Sequence, residues 1–377
     1  MDDRGVIKDL IDKDRKRRDA IFEIYKEIEA FLQTDVDLRR VLTTAFDDVT
    51  KDLDKLRLAL TCSECPILVA GETSAGKSSL INLLIGRSIL PHKLLSCTSA
   101  ICKIWNRNDR KVVFTNLQGK QEMYSFDPDD CEEQMKHLLN EKLGNESDDH
   151  NLESVDIYLP VPMLQEHIAF VDTPGINVQG NTTLLERLFE YLPNAIAFIY
   201  VIDVNRAGGL LDDQWLKKIL LGIKEQQDRG NMLDFQPETT LFVCNKWDAV
   251  EEEEEREVLN FISSKLQSIW PNVNPDKQMF KLSCKEEKKR IGKGLSKTKD
   301  FTNLVEAITN MMLYILETKL VKHVSWQKHA VQNMMDVFAS TIVSSKQSLV
   351  EREKKAKEAE ARLAFLEHKV NKILAHT

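Results

Sequence analysis

Apolar residues recur every three or four positions over the first 61 residues of the chain. Ile21, Ile24 and Ile28 keep this spacing, and a second run continues it over residues 38–60. A period near 3.6 residues predicts amphipathic helices. Thr34-Asp35 is the break that we expect between the two helices.

The helical pattern returns from about residue 301 and continues towards the end of the chain. Met335, Leu363 and Val370 belong to an apolar stripe with residues seven apart, interrupted by Ser345 and Arg352. A heptad stripe is typical of helices that share a seam. Neither end of the chain can close a core alone, so we predict one all-α helical bundle formed from both chain ends. A dimeric coiled coil made by the C-terminal helix alone is the alternative.

Short apolar runs typical of buried strands lie between the helical ends. Helical segments separate several of these runs, which predicts an α/β domain with a mostly parallel sheet and helices on both faces. The predicted strands are Pro66–Ala70, Ala100–Trp105, Lys111–Thr115, Ser154–Tyr158, Ile168–Val171, Ile196–Ile202, Thr240–Cys244 and Met279–Leu282.

Length and composition narrow the class of protein. At roughly 150 residues per domain, 377 residues predict two to three domains. The net charge of −8 argues against a nucleic-acid partner, and seven scattered cysteines indicate reduced thiols in a cytosolic setting. The longest strongly apolar stretch, residues 195–202, is far shorter than the about 20 residues that span a bilayer. We therefore expect no transmembrane segment in this chain.

A glycine-rich segment, Gly71-Glu-Thr-Ser-Ala-Gly-Lys77-Ser78, follows the first predicted strand and precedes a helical run. This is the G-x-x-x-x-G-K-S phosphate loop in the context that the motif requires. Its glycines let backbone N–H groups wrap phosphates, Lys77 can neutralise β- and γ-phosphate charge, and Ser78 can ligate Mg²⁺. The predicted nucleotide site contains Gly71, Thr73, Ser74, Ala75, Gly76, Lys77, Ser78 and Ser79.

A second motif, Asp172-Thr-Pro-Gly175, ends the predicted strand at residues 168–171. An Asp at this position can hold Mg²⁺ directly or through water, and the Gly175 N–H can contact a γ-phosphate. A threonine between the phosphate-loop helix and the next strand can close on the same metal and phosphate. Thr98 is the candidate for that role and Ser99 the alternative, while a simple strand cap is the other interpretation of Thr98.

The third motif, Asn245-Lys-Trp-Asp248, follows the predicted strand that ends at Cys244. The carboxylate of Asp248 can accept hydrogen bonds from guanine N1–H and from the exocyclic amine, so it selects GTP over ATP. We expect Asn245 to brace the loop and the guanine edge, and the stem of Lys246 to pack on the base. After the next strand, a backbone N–H of Ser283-Cys284-Lys285 can reach guanine O6.

These motifs appear in the order of a GTPase domain, and the domain lies between helical segments from both chain ends. In this arrangement the chain resembles the dynamin superfamily. The string Gly-Glu-Thr-Ser-Ala-Gly-Lys-Ser-Ser from Gly71 is similar to the dynamin phosphate loop, while Thr73-Ser74 and the motif ending at Asp248 resemble mitofusins and bacterial dynamin-like proteins more closely. Two departures stand out. Ser96 replaces a mitofusin histidine, and the phosphate loop has no arginine.

The resemblance implies a P-loop GTPase that binds GTP or GDP with Mg²⁺ and uses Lys77, Thr98 and Ser74 in catalysis. Metal contacts would come from Ser78, Thr98 and Asp172. By the same resemblance, Ser74 would position a monovalent cation or a partner contact, and Trp247 would lie next to the base pocket.

The resemblance also implies a nucleotide-dependent homodimer through the GTPase domains, which couples hydrolysis to movement of the bundle for membrane tethering, fusion or remodelling. The expected domains are residues 1–62 and 318–377 for the bundle and residues 63–317 for the GTPase domain. The expected location is cytoplasmic, peripheral to or tethered at a membrane. The alternative function is a nucleotide-gated interaction or scaffold GTPase with slow turnover and no direct membrane remodelling.

Overall fold

The computed structural model divides the chain into two compact units. One contains residues 64–315, and the other combines residues 1–63 with residues 316–377. The structure describes residues 3–34, 53–57, 60, 65–91, 100–144, 152–164, 168–173, 189, 192, 195–205, 214–228, 236, 239–270, 273–344 and 349–374.

Within the described residues, the unit of residues 64–315 is built on one nine-stranded sheet. Its strands are β1 (Cys65–Gly71), β2 (Ile101–Asn106), β3 (Lys111–Asn116), β4 (Gln121–Ser125), β5 (Leu152–Leu159), β6 (Ile168–Asp172), β7 (Ala197–Asp203), β8 (Thr240–Asn245) and β9 (Met279–Lys281). Their order across the sheet is β4-β3-β5-β2-β6-β1-β7-β8-β9.

Most of the sheet is parallel, as predicted. β1 pairs in parallel with β6 and β7, and β8 and β9 extend the parallel side. β2 runs antiparallel to β6, and β3 runs antiparallel to both β4 and β5. The parallel strands β1, β6, β7 and β8 are buried along their whole length. Strands that are covered on both faces have continuous apolar sequences, which is why these four could be recognised as apolar runs.

All eight predicted strands are present, and the structure adds β4. The sequence of β4 is Gln-Glu-Met-Tyr-Ser, and four of its five side chains are exposed. An exposed edge strand has no face to bury, so the sequence of β4 contains no apolar run from which it could be predicted.

Some helices lie between strands, as crossover segments of a parallel sheet do, and others lie at the two ends of the chain. They are α1 (Asp3–Thr34), α2 (Lys77–Ile85), α3 (Cys131–Gly144), α4 (Gln214–Asp228), α5 (Glu255–Ile269), α6 (Pro275–Gln278), α7 (Cys284–Gly292), α8 (Lys299–Ser344) and α9 (Leu349–Leu374), with a 3₁₀ turn at Trp247–Ala249.

The second unit is a helical bundle whose core combines both chain ends, which confirms that prediction over a coiled coil of the C-terminal helix alone. α1, the part of α8 from Leu316 onwards, and α9 contribute to one apolar cluster. Its buried members include Ile21, Ile24, Tyr25, Ile28, Leu320, Val324, Val331, Leu363, Leu366 and Val370. Most of the predicted second helix, residues 38–60, lies outside the described residues; residues 53–57 are helical.

Two buried polar contacts tie α1 to α8 inside this core. The Tyr25 hydroxyl lies 2.9 Å from Nδ1 of His323, and Gln327 Nε2 donates to the Ile21 carbonyl at 2.8 Å. Burial raises the pKa of Tyr25, so its hydroxyl stays protonated. Such contacts favour one alignment of the two helices, because any other alignment leaves buried polar groups unpaired.

Among the described helices, none combines the length and the apolar character that crossing a bilayer demands.

Shortening a core side chain of α9 should destabilise the bundle. Leu366 is 1% exposed and its neighbour Phe365 is 54% exposed. We expect Leu366→Ala to lower the free energy of unfolding by about 2–5 kcal/mol and Phe365→Ala by less than about 1 kcal/mol. Denaturant unfolding followed by helical circular dichroism measures both changes, and equal losses in the two variants would contradict the assigned core.

Candidate functional site

The carboxyl ends of five strands meet at one edge of the sheet. β1, β6, β7, β8 and β9 point the same way because each is paired in parallel with a neighbour. Ligands of open α/β sheets bind at this edge. The segments at this edge carry the phosphate loop, Asp172, Asp203, Asn245–Asp248 and Ser283–Lys285.

The phosphate loop approaches neighbouring segments where only glycine fits. A Cβ on Gly71 would lie 2.4 Å from the Val201 carbonyl oxygen, and one on Gly76 would lie 2.2 Å from Asn245 Nδ2. Both glycines have positive φ, +150° and +100°, which L side chains rarely adopt. The path of the loop therefore requires glycine, which has no side chain, at these two positions.

Lys77 lies at the first turn of α2 and reaches back over the phosphate loop. Its Nζ donates to the carbonyl oxygens of Gly71 and Glu72 at 3.0 and 2.9 Å. The start of α2 has no side-chain cap, and the first N–H groups of a helix are the ones that bind anions. A cation and helix N–H groups at one loop are the features that bind phosphate.

Ser78 and Asp172 form the part of the site that fits Mg²⁺. The Ser78 hydroxyl donates to Asp172 Oδ2 at 2.6 Å. Asp172 Oδ1 is buried and has no hydrogen-bond partner among the described residues. A buried carboxylate oxygen without a partner beside a serine hydroxyl is the oxygen donor set that Mg²⁺ prefers.

Burial raises the pKa of Asp172 to about 6, while the charge of Lys77 and the hydrogen bond from Ser78 act in the opposite direction. The carboxylate is therefore held in an environment that disfavours its charge. A divalent cation at this position would offset that cost.

Asn245 holds three segments together. Its Nδ2 donates to the Ala75 carbonyl oxygen in the phosphate loop at 2.8 Å. Its Oδ1 accepts from the backbone N–H of Cys284 at the start of α7, at 3.1 Å. One side chain at the end of β8 therefore fixes both the phosphate loop and the segment after β9.

Asp248 is oriented by the segment after β9. The Ser283 hydroxyl donates to Asp248 Oδ1 at 2.6 Å, and Lys285 Nζ lies 3.3 Å from Oδ2. The hydrogen bond from Ser283, followed by that from Lys285, holds the pKa of Asp248 below its usual range. Asp248 is therefore an ionised hydrogen-bond acceptor at neutral pH, which is what reading guanine N–H groups requires.

Lys246 is held by an acidic residue that the sequence motifs did not include. Its Nζ lies 2.6 Å from Asp203 Oδ2, and its backbone has a left-handed φ of 65°. Asp203 Oδ1 also accepts from the Asn205 N–H at 3.1 Å. The available signal was that Asp203 ends an apolar strand, as Asp172 does.

A cavity of about 680 Å³ opens beside these residues. Among the predicted site residues, Ser74, Gly76, Ser79, Asn245, Lys246, Asp248, Cys284 and Lys285 line it. The sequence motifs gave no signal for Asn82, Arg87, Ser88, Asn205 or Lys288, which also line it.

Asn82 shapes the end of this cavity from within α2. Its Oδ1 accepts from the N–H groups of Ile89 and Leu90, both at 3.0 Å, and its Nδ2 donates to the Leu90 carbonyl at 2.9 Å. The segment after α2 is thereby fixed beside the cavity.

Trp247, which the resemblance places next to the base pocket, lies between Lys246 and Asp248, two residues that line the cavity. In the part of the chain that the structure describes, its side chain belongs to the apolar core and does not line the cavity. The indole Nε1 donates to Glu255 Oε1 at 2.7 Å. Thr98, Ser99, Ser96 and Gly175 lie outside the described residues.

The fold and the phosphate loop together define a P-loop domain of the α/β class. Residues 67–247, somewhat less than half of the chain, match the family model described as "Dynamin family". This match supports the resemblance to the dynamin superfamily that the motifs carried.

The curated relatives include dynamin-like proteins. Dynamin-like protein 2 of Campylobacter jejuni subsp. jejuni serotype O:23/36 (strain 81-176) is 27% identical over 260 residues, 68% of this chain and 36% of that protein. Transmembrane GTPase Marf of Drosophila melanogaster is 22% identical over 254 residues, 64% and 28% of the two chains. This chain therefore spans about a third of the length of these curated relatives.

A solved structure shares the fold. It is described as "An oligomerised bacterial dynamin pair provides a mechanism for the long-range sensing and tethering of membranes". The TM-score is 0.53 at 17% identity, and the match covers 96% of this chain and 51% of that chain.

Adding one methyl group at Gly76 should disrupt the phosphate loop. Gly76→Ala places a Cβ against Asn245 at a strained φ, and strain of about 1–3 kcal/mol weakens nucleotide binding by one to two orders of magnitude. Gly294→Ala is the control, since Gly294 also has positive φ but no atom within 4 Å of its Cβ position. Fluorescent nucleotide titration compares them, and equal affinities for both variants would rule out the loop geometry described.

The stability of the protein without metal and nucleotide should fall with rising pH because of Asp172. Burial raises the pKa of Asp172 in the folded protein to about 6, against an ordinary value of 3.8 for an aspartate side chain. Stability from the protonated form is thus fully present below about pH 4 and is lost as pH rises through about 6, on the order of 2–3 kcal/mol.

Asp172→Asn removes this titration. In EDTA, we expect the variant to be more stable than the wild type at pH 8 and to lose that advantage at about pH 4. Denaturant unfolding at several pH values gives the difference curve. A difference that does not change with pH would show that Asp172 titrates normally in the folded protein.

Proposed function

We propose that this chain is a dynamin-like GTPase that binds GTP with Mg²⁺ and hydrolyses it. One observation carries the proposal. The Asn245 side chain joins the phosphate loop to the segment after β9, and that segment orients Asp248. Phosphate-binding and base-reading groups are thereby set at a fixed separation on one edge of the sheet.

Each described residue has a role in this proposal. Lys77 exchanges its two carbonyl contacts for β- and γ-phosphate oxygens, and Ser78 and Asp172 hold Mg²⁺. Bound Mg²⁺ would supply positive charge next to the β- and γ-phosphates. Asp248 accepts from the guanine edge, while Lys246, held by Asp203, covers the base. Ser74, whose φ is 66°, presents its backbone and hydroxyl to the phosphates or to a monovalent cation.

The wider function is proposed from the relatives. Residues 63–317 act as the GTPase domain, and residues 1–62 and 318–377 act as the bundle that responds to it. The solved bacterial dynamin pair is described as oligomerised and as tethering membranes. We propose that this chain likewise pairs through its GTPase domains and works at a membrane surface in the cytoplasm.

Replacing one carboxylate oxygen of Asp248 by an amide NH₂ group tests whether this residue recognises guanine. Asp248→Asn replaces an acceptor with an amide donor, which mismatches the guanine exocyclic amine and suits the C2 carbonyl of xanthine. We expect affinity for GTP to fall at least about tenfold while affinity for XTP rises, since an unmatched buried polar group costs about 1–3 kcal/mol.

Titration of both nucleotides, together with phosphate release, measures this switch. Asp276→Asn, an exposed carboxylate in α6, is the matched control and should behave as the wild type. Lys77→Ala should bind neither nucleotide and release no phosphate. An unchanged preference for GTP in Asp248→Asn, or normal turnover in Lys77→Ala, would refute the proposed site.

A further inference from the structure

An acidic run, Glu251–Glu254, follows the base-reading loop directly. All four side chains are exposed. The backbone N–H groups of Glu254 and Glu255 both donate to the Glu251 carbonyl, at 3.0 and 3.1 Å. This turn leads into α5, so four like charges are presented together close to Asp248.

A basic turn, residues 288–299, lies after β9. It contains six Lys and Arg residues and no Asp or Glu. The turn is internally fixed. Leu295 N–H donates to the Arg290 carbonyl at 3.0 Å, Arg290 donates to the Ser296 carbonyl at 3.2 Å, and buried Glu287 accepts from Thr298 N–H at 3.1 Å.

The outer face of the basic turn combines exposed cations with exposed apolar groups. Lys293, Lys297 and Lys299 are exposed, and Ile291 and Leu295 expose 41% and 52% of their surfaces. Apolar side chains that remain exposed within a charged rim are typical of a protein contact surface.

Lys281 places the acidic run and the basic turn side by side. Its Nζ lies 3.0 Å from Glu255 Oε2 and 3.9 Å from Asp300 Oδ2. Glu255 is the residue after the acidic run, and Asp300 is the residue after the basic turn. Lys288 of the basic turn lines the cavity, as does Asp248, which precedes the acidic run by three residues.

A surface with adjacent patches of opposite charge suits a second copy of the same chain. A two-fold interface uses the same surface on both copies, so that surface must be complementary to itself. We propose that the acidic run of one copy docks on the basic turn of a second copy, and the reverse, across the nucleotide cavity. The inference rests on the proposed pairing of GTPase domains and names the residues that would hold the pair together.

The acidic run also argues against two other partners of the basic turn. A nucleic acid or an anionic bilayer would bring its negative charges close to four exposed glutamates. A second copy meets both patches with the opposite charge, so every close approach is favourable.

Charge exchange between two variants of the full chain tests the proposal. One variant is Glu251→Lys/Glu252→Lys/Glu253→Lys, and the other is Lys293→Glu/Lys297→Glu/Lys299→Glu. The control, Asp127→Lys/Asp129→Lys/Asp130→Lys, makes the same charge change as the first in an exposed turn after β4, at the opposite edge of the sheet. Light scattering in GDP, aluminium fluoride and Mg²⁺ measures the dissociation constant of the dimer.

We expect each reversed variant alone to dimerise at least about tenfold more weakly than the wild type. An equimolar mixture of the two should restore dimers, because each attracts the other and repels itself. The control should match the wild type, and raising the ionic strength from about 0.05 to 0.5 M should weaken the wild-type dimer.

Several results would overturn the inference. The first is that the reversed variants dimerise as the wild type does, and the second is that their mixture stays monomeric. The third is that the wild type binds anionic vesicles and that Lys293→Glu/Lys297→Glu/Lys299→Glu abolishes this binding while the variant still dimerises. A wild type that turns over GTP as a monomer at every concentration would also overturn it and leave the GTPase assignment standing. Failure to bind GTP would instead remove the proposed function.

Discussion

The contact between Asn245 and the phosphate loop is the constraint on which the rest of the site depends. The amide enters the space that a side chain at residue 76 would fill, and it bonds on one side to Ala75 and on the other to Cys284. A buried polar side chain whose hydrogen bonds are all satisfied makes its surroundings rigid. The phosphate loop, the base loop and the start of α7 therefore form one hydrogen-bonded unit at the end of β8.

Much of the sheet could be predicted because its central strands are buried on both faces, so that their sequences are apolar runs. β4 could not, since an exposed edge strand has polar side chains on most positions. The bundle was predictable for a similar reason. Residues such as Ile28 and Leu366 repeat at helical spacing because they face a shared core.

The candidate site likewise contains some residues that could be predicted from the sequence and others that could not. Residues of the phosphate loop and Asp248 follow local motifs, so their strand-end positions could be read from the chain. The contact between Lys246 and Asp203 depends on strand register, because Asp203 is paired with Asn245 across β7 and β8, and register is a tertiary property. Trp247 belongs to the same local motif as Asp248. Its packing in the apolar core and its hydrogen bond to Glu255 are contacts that the motif does not reveal.

The buried contacts of Tyr25 and Gln327 restrict how the bundle can move. Sliding α1 by one helical turn, about 5.4 Å, would separate the Tyr25 hydroxyl from His323 and the Ile21 carbonyl from Gln327. Two buried polar groups would then lose their partners at once, so intermediate positions are disfavoured. α1 and the adjoining part of α8 should therefore keep their alignment. A rearrangement of the bundle would separate the two helices and would not slide one along the axis of the other.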